Sequence, residues 1–115
     1  MPITRPLSET AVTKLNGSGN GTAKVGPLSA REIWYPGNVH INVATNNAEA
    51  SCKIFVGPDT TQSNFRDTAD FGSTGDNTGA CNADRIKVGW YVWAVWTGGD
   101  PNAQAVLTVT GTKSV

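Results

Sequence analysis

An all-β fold is what this sequence predicts: an antiparallel β-sandwich of about seven or eight short strands with no substantial helix. Three observations carry the prediction. Val, Ile and Thr together number thirty, whereas Leu, Met, Glu and Gln total ten. β-Branched side chains pack well on a pleated surface and lose rotamer freedom in a helix. Thirteen Gly and six Pro, with Asn beside several of the glycines, punctuate the chain at short intervals. No window carries a sustained apolar stripe at helical spacing, while strict alternation recurs. At 115 residues the chain has room for one core. The expected organisation is a single sandwich domain over residues 10–115, preceded by an extended N-terminal arm over residues 1–9 that carries Pro2 and Pro6. Jelly-roll and immunoglobulin-like strand orders both fit this pattern.

The elements follow in order. Residues 10–15 form a first strand, and Asn16-Gly17-Ser18-Gly19-Asn20-Gly21 reads as a hairpin turn, because Asn-Gly pairs accept positive φ cheaply. Residues 22–25 return and stop at Gly26-Pro27; residues 31–35 are a short strand ended by Pro36-Gly37. Residues 38–44 alternate cleanly, with Val39, Ile41 and Val43 on one face and Asn38, His40 and Asn42 on the other. Residues 52–56 repeat the pattern, with Cys52, Ile54 and Val56 inward and Lys53 and Phe55 outward. From 57 to 84 the chain is polar and turn-rich, with Phe65 and Phe71 its only large apolar residues. So long a loop is uncommon in a compact domain unless it is functional or holds a strand, here placed at 64–70. Residues 85–97 are a long strand, 98–102 a turn, and 104–111 the last strand.

The strand at 85–97 is the most informative. Ile86, Val88, Trp90, Val92, Ala94 and Trp96 share one face, assigned to the core. An ordinary sandwich strand would solvate the other face. Here that face reads Tyr91, Trp93 and Val95, with Phe55 from a second strand to widen it. A contiguous apolar patch marks an interaction surface. Three coverings suit it: the chain's own 57–84 loop or N-terminal segment, another protein subunit, or a sugar stacked on Trp93 or Tyr91. A bulge at Gly89 would exchange the two faces beyond it.

Charge and motifs exclude more than they assign. Nine Lys+Arg balance nine Asp+Glu with no basic run, which argues against a nucleic-acid partner. No apolar stretch approaches the ~20 residues that span a bilayer, and the opening MPITRPLSET has no secretory apolar region. His40 has no nearby nucleophile or acid to make a catalytic set, so no enzyme and no cofactor are expected. Asp67, Asp70, Asp76, Asn77 and Asp84 lack the spacing of a known calcium loop and read as turn formers, and no metal site is expected. The sequons at Asn16 and Asn20 read as turn chemistry for the same lack of an export signal, and the glycines at 17–21 lack a phosphate-loop ending. Cys52 and Cys81 are the only cysteines and lack zinc spacing. A disulfide between them would close the polar loop and add roughly 3–4 kcal/mol. Synthesis in a reducing cytosol fits two buried thiols equally well. Both arrangements stay open.

The run from Trp93 to Ala103 (WAVWTGGDPNA), followed by Ala105 to Gly111 (AVLTVTG), resembles a group of small proteins from tailed phages of actinobacteria. Leu15 to Pro27 is similar to their Gly-rich first hairpin, and Ser51 to Gly57 to their mid-chain strand. The segment 65–83 matches least. Such proteins are β-rich virion components, head-decorating or tail-associated. The resemblance implies a structural protein made in the host cytoplasm and carried in the virion. Its expected partner is the major capsid protein or another virion subunit, with homo-oligomerisation alongside. The expected interface is Tyr91, Trp93, Val95 and Phe55, joined by Ile3, Arg5 and Leu7 of the arm. A tail accessory role or a carbohydrate-binding module contacting host glycans is the alternative.

Overall fold

The computed structural model describes residues 3–44, 50–70, 75–79 and 85–115. Its strands are β1 (Thr4–Lys14), β2 (Gly21–Val25), β3 (Ile33–Val43), β4 (Ser51–Gly57), β5 (Phe65–Asp70), β6 (Gly75–Gly79), β7 (Tyr91–Thr97) and β8 (Gln104–Ser114). A single 3-10 turn at Gln62–Asn64 is the one helical element among the described residues. The strands make two four-stranded antiparallel sheets, β1-β8-β3-β6 and β2-β7-β4-β5. That order is an eight-stranded jelly roll, whose chain crosses between the sheets at nearly every turn. The all-β sandwich is therefore as the composition predicts, and the immunoglobulin-like order is excluded.

The core is the sum of the period-2 faces. Val39, Ile41 and Val43 of β3 and Leu107 and Val109 of β8 are fully buried from one sheet. Ile54 and Val56 of β4 and Val92 and Trp96 of β7 are fully buried from the other. Each such side chain contributes about 1.5–3 kcal/mol of transfer free energy.

Several boundaries differ from the sequence expectation, each for a physical reason. Residues 4–9 are not an arm. They are the first half of β1, paired residue for residue with β8 from Thr4↔Ser114 to Lys14↔Gln104. Leu7, expected at an interface with another subunit, is 2% exposed and belongs to the domain's own core. Pro6 does not interrupt this ladder. Ile3 and Val115 exchange both backbone bonds (3.0 and 2.9 Å), so the odd residues of β1 bond to β8. The even residues, Pro6 among them, turn their backbone toward the open edge, where a missing N–H costs nothing.

Asn16 to Asn20 turns the chain, but not into a hairpin, because β1 and β2 lie in different sheets. Asn16 Oδ1 accepts the backbone N–H groups of Ser18 (2.9 Å) and Asn20 (3.1 Å), which sets the turn. Buried Leu15 then fixes where it crosses, through its N–H to Ala103 O at 2.9 Å. Pro36-Gly37 also fails to end a strand. A register shift between Pro36 and Asn38 absorbs the extra residue, and residues 33–43 run on as one strand. The 85–97 strand is shorter than expected. Trp90 N–H closes a turn on Lys87 O at 3.0 Å, Gly89 takes φ 91°, and Val88 is exposed rather than buried. Before that turn Ile86 makes an isolated bridge to Trp34. β6, with the sequence GDNTG, carries no apolar residue and gave no strand signal.

One asymmetry positions the surfaces discussed below. β1, β3 and β8 are each eleven residues long, while β2, β4, β5 and β7 have five to seven. The first sheet therefore overhangs the second at the pole where β1 and β3 begin and β8 ends. The molecule is elongated, 51 × 25 × 20 Å.

Candidate docking surface

Alternation places Tyr91, Trp93 and Val95 on the outward face of β7 while Val92, Ala94 and Trp96 point into the core. The sequence-derived face assignment holds, because the turn at Gly89 precedes the strand rather than bulging it. Antiparallel registry then decides the neighbours. Trp93 lies between Lys24 of β2 and Phe55 of β4, and Val95 between Thr22 and Lys53. Directly opposed residues share a face, so Trp93, Phe55 and Lys24 stand side by side.

The aromatic rings are held rather than loose. Trp93 Nε1 donates to Gly57 O at 3.0 Å, which satisfies the indole and fixes its orientation. Tyr91 meets Trp93 edge-to-face at 5.5 Å between centroids, and Phe55 meets Phe65 of β5 the same way at 5.7 Å. Lys24 Nζ sits 4.3 Å from the Tyr91 ring centroid and 4.8 Å from that of Trp93. Such ammonium–ring pairs contribute about 0.5–1 kcal/mol at exposed sites. As a result the stripe is half-covered by its own chain: Phe55 is buried, and Tyr91, Trp93 and Val95 are half-buried. Phe65 supplies part of this cover from within the 57–84 segment.

Beyond Tyr91 the surface continues into an open cleft of about 350 Å³, lined by Glu9, Lys24, Val25, Gly26, Leu28 and Tyr91. Leu28 on its rim is 93% exposed. Lys24, Phe65 and Leu28 were missed as members of this surface by sequence reasoning. The alternation of β2 carries a signal for Lys24, but only the sheet order reveals that it faces Trp93.

The remaining expected residues lie elsewhere. Ile3 is exposed but tied to Val115, Leu7 is in the core, and Arg5 lines a separate cleft. Ile3, Arg5 and Leu7 therefore do not join the aromatic face. His40 stands on the outward face of the other sheet, opposite Thr108 and Thr78. No group of three or more potential metal ligands occurs among the described residues. Asp84 and Phe71 lie outside the described residues. No helix among the described residues is long and apolar enough to cross a membrane.

No known protein family matches this chain, and no curated protein matches it.

Cys52 is a buried, free thiol, and Cys81 lies outside the described residues. Burial pushes the Cys52 thiol up to about 12, with a backbone hydrogen bond from Val95 pulling the other way. A raised thiol pKa stabilises the fold fully below the ordinary value of 9.0, and that stability is lost as pH rises from there toward 12. In reduced, folded protein at pH 8, peptide mapping after iodoacetamide treatment should find Cys52 unmodified, and rapidly modified once the protein is denatured. Equal labelling in both states would contradict the buried placement.

Proposed function

We propose that this chain is a non-enzymatic virion structural protein, a decoration protein that docks on the major capsid protein of a tailed phage. The observation that carries the proposal is the pre-ordered aromatic face of the second sheet, flanked by Lys24 and Lys53. Aromatic anchors already held in one orientation lose little entropy on association, and Trp and Tyr dominate interface energetics. The flanking ammonium groups specify the partner's chemistry: an apolar centre ringed by carboxylates. Jelly rolls include capsid and lectin domains, but a fold alone assigns no function, so the weight rests on the face itself. The resemblance of Trp93–Ala103 and Ala105–Gly111 to actinobacterial phage proteins supports the same reading.

The glycan alternative has less support. A pyranose stacks on a bare ring face, whereas Tyr91 and Trp93 are inclined at 72° and Lys24 lies over both.

Co-sedimentation with undecorated capsids of the parent phage tests the proposal. The wild-type protein should pellet with the shells to saturation, and Trp93→Ala and the double variant Lys24→Glu/Lys53→Glu should stay in the supernatant while remaining folded. Equal sedimentation of all three overturns it. So does glycan-array binding that Trp93→Ala abolishes, with no capsid association.

A further inference from the structure

The overhang of the first sheet forms a second, chemically different cleft. It is open, about 440 Å³, and lined by Arg5, Ser29, Arg31, Glu32, Lys113 and Val115. Its floor is the inner face of β1 and β8 beyond the reach of the second sheet. Its wall is the segment that leads into β3.

Its charge arrangement sets it apart from the rest of the surface. Arg5 and Lys113 are directly opposite each other in the β1–β8 ladder, so two cations share one face as a cross-strand pair. Like charges so placed destabilise a sheet. Arg31 adds a third cation from the wall. The one carboxylate side chain in the cleft, Glu32, is already committed: its Oε1 meets Lys113 Nζ at 3.4 Å and accepts from Trp34 Nε1 at 3.3 Å. Arg5 and Arg31 are exposed and have no carboxylate partner among the described residues.

The donors also indicate what the cleft takes. Arg31 N–H is spent on Ser29 Oγ (3.2 Å), Glu32 N–H on Ser29 O (3.1 Å) and Val115 N–H on Ile3 O (2.9 Å). A compact phosphate site draws on converging backbone N–H groups. What remains here is two guanidinium forks, each able to take a carboxylate or a phosphate bidentately, and their placement on floor and wall suits successive carboxylates of one chain better than a single compact anion. We propose that this cleft receives an extended acidic segment of a protein partner, with Arg5 and Arg31 each taking one carboxylate. The site is distinct from the aromatic face and does not depend on the role assigned to that face.

NMR titration of the arginine Nε–Hε and Trp34 indole signals tests this, using a blocked tetraglutamate peptide, a tetraglutamine control and inorganic phosphate. Tetraglutamate should shift the Arg5 and Arg31 signals saturably and more weakly as salt rises, while tetraglutamine does nothing. Arg5→Gln/Arg31→Gln should weaken peptide binding at least tenfold with Tm unchanged or raised, since it relieves the opposed cations. Absence of a saturable shift, or undiminished binding by the double variant, overturns the proposal. Phosphate saturating the same signals as tightly as the peptide makes this a small-anion site instead, and a lowered Tm in the double variant makes the cations structural.

Discussion

Leu7→Ala lowers the stability of the isolated domain by about 2–4 kcal/mol, a fall in Tm on the order of 10 °C. The reason is its place in the fold. Leu7 is 2% exposed, on the inward face of β1, in the same buried cluster as Trp34 and Ile86. Truncation leaves a cavity at the overhanging pole, where Gly111 directly opposite has no side chain to fill it. Ile3→Ala, four residues earlier and 54% exposed, should change stability by no more than about 0.5 kcal/mol. Urea unfolding of the two variants beside the wild type separates the alternatives. A neutral Leu7→Ala would mean that residues 4–9 leave the sheet in solution and behave as the arm their prolines suggest.

Gly19→Ala should cost a comparable amount, about 3 kcal/mol or above. Gly19 takes φ 78°, where an L side chain already costs about 1–2 kcal/mol. An added Cβ would also run into the backbone carbonyl of Gly99, which cannot swing away as a side-chain tip can. Gly99 N–H donates to Gly19 O at 3.0 Å, so the two turns are clamped together and a shift in one displaces the other. Buried Leu15 lies just beneath, against Gly99 and Gly21. The control is Gly17→Ala, whose Cβ would meet nothing within 4 Å. Unfolding free energies from denaturant titration that differ by less than about 0.5 kcal/mol between the two alanine variants would show that the clamp yields freely.

The strands that sequence reveals are those whose two faces see different environments. Val39, Ile41 and Val43 alternate against Asn38, His40 and Asn42, and that contrast fixes phase as well as existence. The same contrast places Tyr91, Trp93 and Val95 outward without any knowledge of their neighbours. Partnership is another matter. That Lys24 lies over two aromatic rings depends on β2 pairing with β7, a choice made by the whole set of strands and written in neither segment. Three features hid themselves for local reasons. β6 has no apolar side chain and is recruited through its backbone. Pro36-Gly37 is a strong stop signal that a bulge beside Gly111 neutralises. Pro6 suggests an irregular arm, yet proline is harmless at an edge position whose N–H would face outward. The cationic cleft was illegible because Arg5, Arg31 and Lys113 are brought together only when the two ends of the chain pair.

That last pairing has a kinetic meaning. β8 lies between β1 and β3, so the first sheet has no centre until the final strand exists. During synthesis β1 and β3 must wait, with Leu7, Val39 and Ile41 lacking their main sheet partner, until β8 has been made. Closing so wide a loop is entropically demanding, and topologies of this kind fold in milliseconds to seconds rather than microseconds. Emergence of β8, more than any local nucleation, then becomes the moment at which the domain commits to its structure.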